Sequence, residues 1–464
     1  MRKQLMRTIL FLTSSLLLFI SCQKETKIPS NSNEEISTAA NNANRGHIKQ
    51  TKTFSSDVAM KWMAMQVRQM IAAPTAVGNV VHSRHYAYSG ITLYESVVPG
   101  MPAYQSIASQ LNGLSGLPQT APGHAYHWAA SANAALAHIN KKLFSYASPA
   151  NKIAMDSLEN ALNIEYANEG DAEVLARSKE FGKTVAQKVW EWAETDGYNP
   201  GFASDLNTPF TFPPGISGPH LWVAPPSWSI QTAPFWKTVR PIVPGSGDNA
   251  QPGAPPAYSS ETTSPFYQMA NEVYTSFQNL TQAQKDMALY WRDVPGTTTP
   301  GHYVSILKQI LETDKPGLDI AAIAYARGGI MVFDASISTW QTKFTYNLVR
   351  PITYIRNIIG VNTWNPFIGT PPHPEYPSAH SSLSAANAEA LTMVFGDGHP
   401  FTDHTFDYMG FPSRSYTSFN QIAEEAGISR LYGGIHYRQS IEAGLWQGKK
   451  VADNINSKLK FLKE

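Results

Sequence analysis

The stretch 171-DAEVLARSKEFGKTVAQKVWEWAETDGY-198 decides the fold class. Residues suited to a buried face recur in it every three or four positions, which is the period of an α-helix; they are Val174, Ser178, Phe181, Val185, Val189 and Trp192. Gly197 follows where the pattern stops, and glycine is common just past a helix end. The stretch therefore predicts an amphipathic helix with one face against a core.

The same period recurs along most of the chain. It is found in 127-HWAASANAALAHINKKLF-144, in 280-LTQAQKDMALYWRDV-294 and in a last helix marked by Ile441, Leu445, Ala452 and Ile455. Alternating patterns typical of strands are almost absent. We therefore predict an all-α fold, a large single-domain helical bundle over residues 56–464.

Residues 199–262 break the helical pattern and are rich in Pro, Gly and Trp. An irregular segment of this length is either a linker or a functional covering loop. Its bulky side chains predict that it packs over the domain; they are Phe210, Trp222, Trp228, Phe235 and Trp236.

The composition of the chain limits its function class. Its 464 residues are 42% hydrophobic, enough for a large core, and the formal net charge of +1 provides no field that favours nucleic acid. Cys22 is the one cysteine, which excludes disulfides within the chain and thiolate metal sites.

The N-terminus has the pattern of an export signal. A basic start, an apolar run and a small residue precede Cys22, and the run is too short for a comfortable membrane span. Residues 1–22 resemble a bacterial lipoprotein signal, which implies lipidation of Cys22 and anchoring to a bacterial membrane, the outer one by preference, facing the periplasm or the surface. An ordinary signal with an incidental cysteine is the alternative. The polar residues 23–55 predict a disordered tether.

Three short segments have residue types suited to binding an anion. In 340-WQTKFTYNLVRP-351 the cations Lys343 and Arg350 are seven residues apart, which places both on one helix face together with Trp340. Pro351 is expected to end that helix and to push Arg350 toward an extended backbone. Two cations without interleaved acids need an anion, although a solvated basic stripe would show the same spacing.

The second segment, 373-HPEYPSAHSSLS-384, turns helical after Pro377. Ser378, Ala379 and His380 then lie at a helix N-terminus, where free backbone N–H groups and the helix dipole favour an anion. A serine N-cap followed by a surface histidine is the alternative.

The third segment is 429-SRLYGGIH-436. Arg430 and His436 are six residues apart, which is not one helix face, but Gly433 and Gly434 between them can break the helix and let both side chains converge. A corner between two helices with a structural histidine is the alternative.

The three segments together resemble the signature shared by vanadium-dependent haloperoxidases and the phosphatidic acid phosphatase superfamily. Lys-x6-Arg-Pro, Pro-Ser-Ala-His and Ser-Arg-x5-His agree in residue type, order and internal spacing. The likeness to bacterial haloperoxidases covers roughly residues 56–460 and includes 288-ALYWRDVPGTTTPGHY-303. It implies a helical domain with a C-terminal catalytic core at about 280–460.

The resemblance also implies roles for individual residues. His436 would bind vanadium, and vanadate would be the cofactor. The oxyanion would accept hydrogen bonds from Lys343, Arg350, Ser378, the Ala379 N–H and Arg430. His380 would be the acid–base group that takes a proton from hydrogen peroxide, Lys343 would polarise the bound peroxide, and Asp293 would pair with Arg430. A halide would leave as hypohalous acid.

The chain departs from the family pattern at two positions. Ala379 replaces a glycine, and a positive φ there would be strained by the methyl group. Ser440 stands four residues after His436 where the family often has an aspartate; its hydroxyl could accept a ring N–H but adds no charge. Phosphatases use that aspartate to orient a nucleophilic histidine, so Ser440 favours the haloperoxidase.

By the same resemblance, His373 is typical of bromide-oxidising members, whereas Trp340 occupies a position where the chloride type has tryptophan. We therefore predict oxidation of iodide and bromide by hydrogen peroxide in preference to chloride. Organic acceptors and homo-oligomers stay open, and no nucleic acid is expected.

Two alternatives to the haloperoxidase stay open as well. One is an acid phosphatase that uses His436 as nucleophile and His380 as leaving-group acid; a membrane-embedded lipid phosphatase would need several long apolar spans, and we find none after the signal. The other is a surface lipoprotein without catalytic activity that binds an oxyanion or a partner.

Overall fold

Helices dominate the part of the chain that the computed structural model describes, which is residues 49–74, 77–198, 218, 220–223 and 233–464. The described residues from 49 onward form one compact unit. The helices are α1 (Asp57–Ile71), α2 (Val81–Val97), α3 (Trp128–Leu143), α4 (Pro149–Ala167), α5 (Ala172–Ala193), α6 (Pro265–Gln278), α7 (Gln282–Tyr290), α8 (Pro300–Asp314), α9 (Leu318–Tyr346), α10 (Pro351–Tyr354), α11 (Ala379–Phe395), α12 (Phe419–Tyr432) and α13 (Arg438–Lys458).

Short elements connect these helices. Single 3-10 turns occur at Thr51–Thr53, Val98–Gly100, Ala108–Gln110, Pro234–Thr238 and Asp407–Met409, and a π-turn at Ile355–Ile359 continues α10. Strands β1 (Phe401–Asp403) and β2 (Arg414–Tyr416) pair antiparallel, with Phe401 opposite Tyr416. The predicted all-α fold class is confirmed.

Helix α5 forms where the apolar period predicts it. The Asp171 side chain caps its start by accepting the N–H groups of Glu173 and Val174, and the helix ends at Ala193. Val185 and Val189 are buried. Gly197, with φ +86°, lies four residues beyond the helix end, so the helix stops earlier than the glycine suggested.

Helix α9 is the buried centre of the molecule. By length and composition it could cross a membrane, but 89% of its apolar window is buried inside the protein. A Cβ added at Gly329 of α9 would lie 2.7 Å from Ala87 Cα in α2, so glycine permits this close helix contact. No apolar stretch of this length was predicted after the signal, so the sequence analysis missed α9. One such helix among the described residues, buried in the core, is fewer than the several spans that a membrane-embedded lipid phosphatase would need.

Glycines also bring α13 close to α11. A Cβ added at Gly444 would lie 2.5 Å from the Ser378 carbonyl oxygen and 2.8 Å from Ser381 Cβ. The start of α11 is therefore held against α13 with no room for a side chain. This contact fixes the position of Ser378 and the first turn of α11.

The described part of the Pro- and Trp-rich segment packs on the domain as predicted. Trp222 and Trp236 are buried, and Trp236 Nε1 donates to Ser336 Oγ at 2.8 Å. Phe235 is half-buried, while Phe210 and Trp228 lie outside the described residues.

Two predicted boundaries differ from the structure. The tether was expected to reach residue 55, but Thr51 and Phe54 are buried in the domain because Phe54 joins the core; Cys22 and most of the predicted tether lie outside the described residues. The helix of Lys343 was expected to reach Pro351, yet α9 ends at Tyr346 because Asn347 takes a left-handed conformation with φ +45°.

Candidate functional site

The three segments that the sequence predicts to bind an anion converge on one cavity of about 680 Å³. Of the residues predicted for the site, seven line it: Asp293, Trp340, His373, Ala379, His380, Arg430 and His436. Lys343, Arg350 and Ser378 are buried directly behind the lining. Together these ten side chains come from α9, the start of α11, the end of α12 and the loops between helices.

Lys343 and Arg350 do not share a helix face, contrary to the prediction. Lys343 is in the last turn of α9, whereas Arg350 is the extended residue before α10, with φ −77° and ψ 153°. The extended backbone was predicted from Pro351. The two cations converge because the loop turns back, and not because of helical spacing.

Arg350 holds two histidines in place. Its Nε donates to the His373 carbonyl at 3.0 Å, and its Nη1 donates to the Ile435 carbonyl at 2.9 Å. Nη1 also lies 3.1 Å from His436 Nε2, and Nη2 lies 3.1 Å from His373 Nδ1. Because a guanidinium only donates, His436 Nε2 must be an acceptor. His373 Nδ1 also lies 3.2 Å from the Pro374 carbonyl oxygen.

His436 has a defined tautomer. Its Nε2 lies 3.1 Å from Arg350 Nη1, which only donates, so the neutral ring carries its proton on Nδ1, 2.8 Å from Glu375 Oε1. The lone pair of Nε2 then faces Arg350 and the cavity. Burial and the neighbouring Arg350 hold the pKa of His436 well below its ordinary value, which keeps the ring neutral.

Glu375 is the acidic residue that the sequence analysis missed. It is fully buried and accepts from the Tyr437 N–H at 3.0 Å and from Ser440 Oγ at 2.5 Å. Burial raises the pKa of Glu375 to about 7, against the opposing effect of Arg350. The sequence could have indicated it, because Glu375 is the one acidic residue between Asp334 and Glu389, a stretch that contains most of the predicted cationic and histidine residues of the site.

Arg430 has guanidinium donors that no group in the described part of the chain accepts. Its Nη1 donates to the Trp291 carbonyl, but Nε and Nη2 are buried without a hydrogen-bond acceptor among the described residues. Asp293 Oδ2 is 3.6 Å from Nη2, which is ion-pair distance only. Buried donors of this kind are costly unless something accepts from them.

His380 lies at the cavity wall beside these groups. Its Nε2 is 3.8 Å from Asp293 Oδ1, and its side chain is one-tenth exposed. Burial and Arg430 hold the pKa of His380 well below the ordinary value. The ring is therefore neutral and able to take a proton from a molecule in the cavity.

Lys343 has partners that the sequence did not suggest. Its ammonium group donates to the carbonyls of Pro374, Glu375 and Pro377 at 2.9, 3.1 and 2.5 Å. All three of its donors are thus used on the loop before α11. A hydrogen bond from Lys343 to an oxyanion stays a prediction, and would replace one of these three.

Helix α11 begins where the sequence predicts. Ser378 is its N-cap, as the alternative interpretation had it, and accepts the Ser381 N–H at 3.3 Å, but His380 is buried and not at the surface. The Ser378 N–H donates to the Ser440 carbonyl at 2.9 Å, which ties this start to α13. The first backbone N–H groups of any helix lack intrahelical acceptors, so those of Ala379 and His380 can serve an anion.

Trp340 and His373 form one wall of the cavity. Their ring centroids are 5.3 Å apart at an interplanar angle of 48°. Both rings are nearly buried, and His373 is anchored by Arg350. The two residues predicted to influence halide choice are therefore in contact.

Comparisons with known proteins identify the family of the chain. The family model described as the VCPO second helical-bundle domain matches residues 324–463. The chain is 32% identical to a bacterial vanadium-dependent iodoperoxidase of known structure, with a TM-score of 0.77, over 89% of this chain and 98% of that one. The chain belongs to the vanadium-dependent haloperoxidase family. A bacterial vanadium-dependent chloroperoxidase shares the fold at 16% identity, with a TM-score of 0.64 over 87% and 98% of the two chains. No curated protein matches the chain significantly.

The donors in the cavity fit the oxyanion for which the haloperoxidase family is named. Arg430 offers two buried donors without acceptors, and the start of α11 offers backbone N–H groups. The His436 Nε2 lone pair completes a set of several hydrogen-bond donors and one nitrogen ligand. An oxyanion would accept from donors that the described residues leave without an acceptor.

Both departures from the haloperoxidase pattern have structural answers. Ala379 is the first residue of α11 and has no positive φ, so its methyl group causes no backbone strain. Ser440 does not accept the His436 ring N–H as expected; Glu375 takes that N–H, and Ser440 donates to Glu375. A carboxylate is thus present beside His436, although not where the sequence pattern places it.

Proposed function

We propose that this protein is a vanadate-dependent haloperoxidase that oxidises iodide and bromide with hydrogen peroxide. The observation that carries the proposal is the pairing of His436, held as the Nδ1–H tautomer, with the unsatisfied donors of Arg430 in one cavity. The bacterial relative described as an iodoperoxidase supports the halide class.

In this proposal vanadate, when bound, acts as a Lewis acid that activates hydrogen peroxide toward a halide. His436 would hold it through Nε2, and Arg350, Arg430, Lys343, Ser378 and the Ala379 N–H would donate hydrogen bonds to the oxyanion. Arg430 can grip two oxygens because its donors form a planar fork. Lys343 would give up its hydrogen bond to one loop carbonyl and would use that donor to polarise peroxide.

His380 is the proposed acid–base group. It is neutral, at the cavity wall and beside Asp293, so it can take a proton from hydrogen peroxide and pass it on. Asp293 orients Arg430 and balances its charge. His373 and Trp340, in mutual contact, shape the place where the halide approaches.

The test adds vanadate to the vanadate-free protein and then hydrogen peroxide with iodide, bromide or chloride. We expect iodide and bromide oxidation that inorganic phosphate suppresses. His436→Ala should abolish it, and His380→Ala should lower kcat about 10²–10⁴-fold. Oxidation of chloride at the rate of iodide would contradict the halide assignment, and full activity of His436→Ala would contradict the mechanism.

An acid phosphatase is a second candidate, and one observation favours it. Glu375 gives His436 the carboxylate partner that a nucleophilic histidine needs. Hydrolysis of p-nitrophenyl phosphate, inhibited by vanadate and lost in His436→Ala, would support this candidate. Hydrolysis without any halide oxidation would replace the first proposal. Anion binding without halide oxidation or phosphate-ester hydrolysis would instead support a binding protein without catalytic activity.

We also propose that the protein is exported and anchored to a bacterial membrane through Cys22. The basic and apolar signal that precedes this lone cysteine supports the proposal. Cells fed a labelled fatty acid should label the protein in the membrane fraction. The variant Cys22→Ser should lose the label, and label retained in that variant would contradict lipidation.

A further inference from the structure

Glu375 and Ser440 form a unit with His436 that the family signature does not contain. Glu375 Oε1 accepts from His436 Nδ1 at 2.8 Å and from the Tyr437 N–H at 3.0 Å. Glu375 Oε2 accepts from Ser440 Oγ at 2.5 Å. Three donors therefore converge on one buried side chain, and both of its oxygens are engaged.

The backbone of Glu375 is fixed as firmly as its side chain. Its N–H donates to the Leu348 carbonyl at 3.0 Å, and its carbonyl accepts from Lys343 Nζ at 3.1 Å. Lys343 also holds the carbonyls of Pro374 and Pro377 on either side. The loop thus presents the carboxylate at one position and leaves it little freedom to turn away.

We propose that Glu375 is the positioning carboxylate of this site, relocated from α13 to the loop before α11. Ser440 stands where the family often has the aspartate, and its side chain is too short and uncharged to replace that acid. Instead Ser440 donates to the incoming carboxylate. The inference rests on the proposed function, because it concerns how His436 presents Nε2 to the bound oxyanion.

The chemistry of the pair explains why its location matters. Hydrogen bonding of Nδ1–H to a carboxylate fixes the tautomer and the ring plane, and it raises the basicity of Nε2. Without Glu375, the ring could carry its proton on Nε2 and present no lone pair to the cavity. Loss of such a partner costs about 10–100-fold in metal affinity.

The experiment compares dissociation constants for vanadate, measured by titration calorimetry without peroxide or halide. Glu375→Ala should weaken vanadate about 10–100-fold. Glu375→Gln keeps the shape and one acceptor, so it should weaken vanadate less. The double variant Glu375→Ala with Ser440→Asp returns the acid to α13, with room created by the shortened side chain, and should recover most of the lost affinity.

A matched control removes a buried glutamate elsewhere. Glu95 is nearly buried and accepts the Ile107 N–H at 2.9 Å, and it does not line the cavity. Glu95→Ala should change stability and leave vanadate affinity at the wild-type value. Recovery by the double variant is a result that a general loss of packing at residue 375 would not give.

The outcomes separate this inference from the proposed function. Wild-type protein that binds vanadate but oxidises no halide would refute the proposed function. The comparison of vanadate dissociation constants between wild type and the Glu375 variants would still test this inference. Glu375→Ala or Glu375→Gln with wild-type affinity would overturn the inference. A folded double variant no tighter than Glu375→Ala would also overturn it, and wild-type protein that binds neither vanadate nor phosphate would overturn both.

Discussion

Replacing Arg430 by methionine tests whether its unused donors are there for an anion. The side chain is fully buried, and Nε and Nη2 have no acceptor in the part of the chain that the structure describes. Each hydrogen bond to a charged group contributes about 1.5–3 kcal/mol. Two of them correspond to about 3–6 kcal/mol, or roughly 10²–10⁴-fold in the dissociation constant of vanadate.

The stability of the anion-free protein should respond quite differently. Replacing the guanidinium removes the desolvation cost of two buried nitrogens that have no acceptor among the described residues, about 1–3 kcal/mol each. Against this, the Trp291 carbonyl loses its donor, which costs about 1–3 kcal/mol, and the 3.6 Å ion pair with Asp293 is lost. We therefore expect the free energy of unfolding of anion-free Arg430→Met to lie within about 2 kcal/mol of the wild-type value.

Denaturant unfolding with and without vanadate separates the two effects. At one hundred times its dissociation constant, vanadate stabilises wild-type protein by about 2.7 kcal/mol. At the same concentration Arg430→Met should gain at most about 0.4 kcal/mol. Arg327, which stacks on Phe461 at 4.4 Å outside the cavity lining, is the control, and Arg327→Met should keep the full gain. Full stabilisation of Arg430→Met would refute the reasoning.

Three further predictions concern the scaffold. Gly444→Ala places a methyl group against the Ser378 carbonyl, so denaturant unfolding should show a free energy of unfolding lower by about 1–3 kcal/mol. Calorimetry should show that this variant binds vanadate more weakly. Asp334 accepts two buried N–H groups at 2.7 and 3.0 Å, so Asp334→Ala should lose about 2–6 kcal/mol of unfolding free energy and Asp334→Asn less. Burial would raise the pKa of Asp403, but the neighbouring His302 outweighs it, and the net effect lowers this pKa. The ionised Asp403 therefore stabilises the fold above pH 3.8, and that contribution is lost as the pH falls below this value. In Asp403→Asn, Tm should fall less steeply than in the wild type as the pH is lowered. An unchanged dependence of Tm on acidic pH would contradict a stabilising role of the Asp403–His302 pair.

Helices could be predicted from the sequence because their apolar period is local. Helix α5 shows this, since its buried face and its Asp171 cap lie within the same stretch. The buried α9 was harder, because a helix that is apolar on every side has no face to detect. Its hydropathy equals that of a membrane span, and only its position between packed helices identifies it as core.

The site was predicted in its residues but not in its geometry. Lys343 and Arg350 were placed together by assuming one continuous helix, whereas Asn347 ends α9 and a loop brings Arg350 back. The sequence could not reveal the three carbonyls around Lys343, because they belong to a loop more than thirty residues away. Glu375 was missed for the same reason, since it is 61 residues from His436 along the chain.

The position of the acid no longer distinguishes a haloperoxidase from a phosphatase in this chain. Ser440 had been the argument against a nucleophilic histidine, and Glu375 removes that argument. In both chemistries the oxyanion must reach His436 Nε2, which now accepts from Arg350 Nη1 at 3.1 Å. Arg350 can give up its hydrogen bond to the His436 ring, because a hydrogen bond to an anion is stronger than one to a neutral ring. Arg350 would then move its donor from the nitrogen to an anion oxygen, so anion binding itself uncovers the lone pair of Nε2.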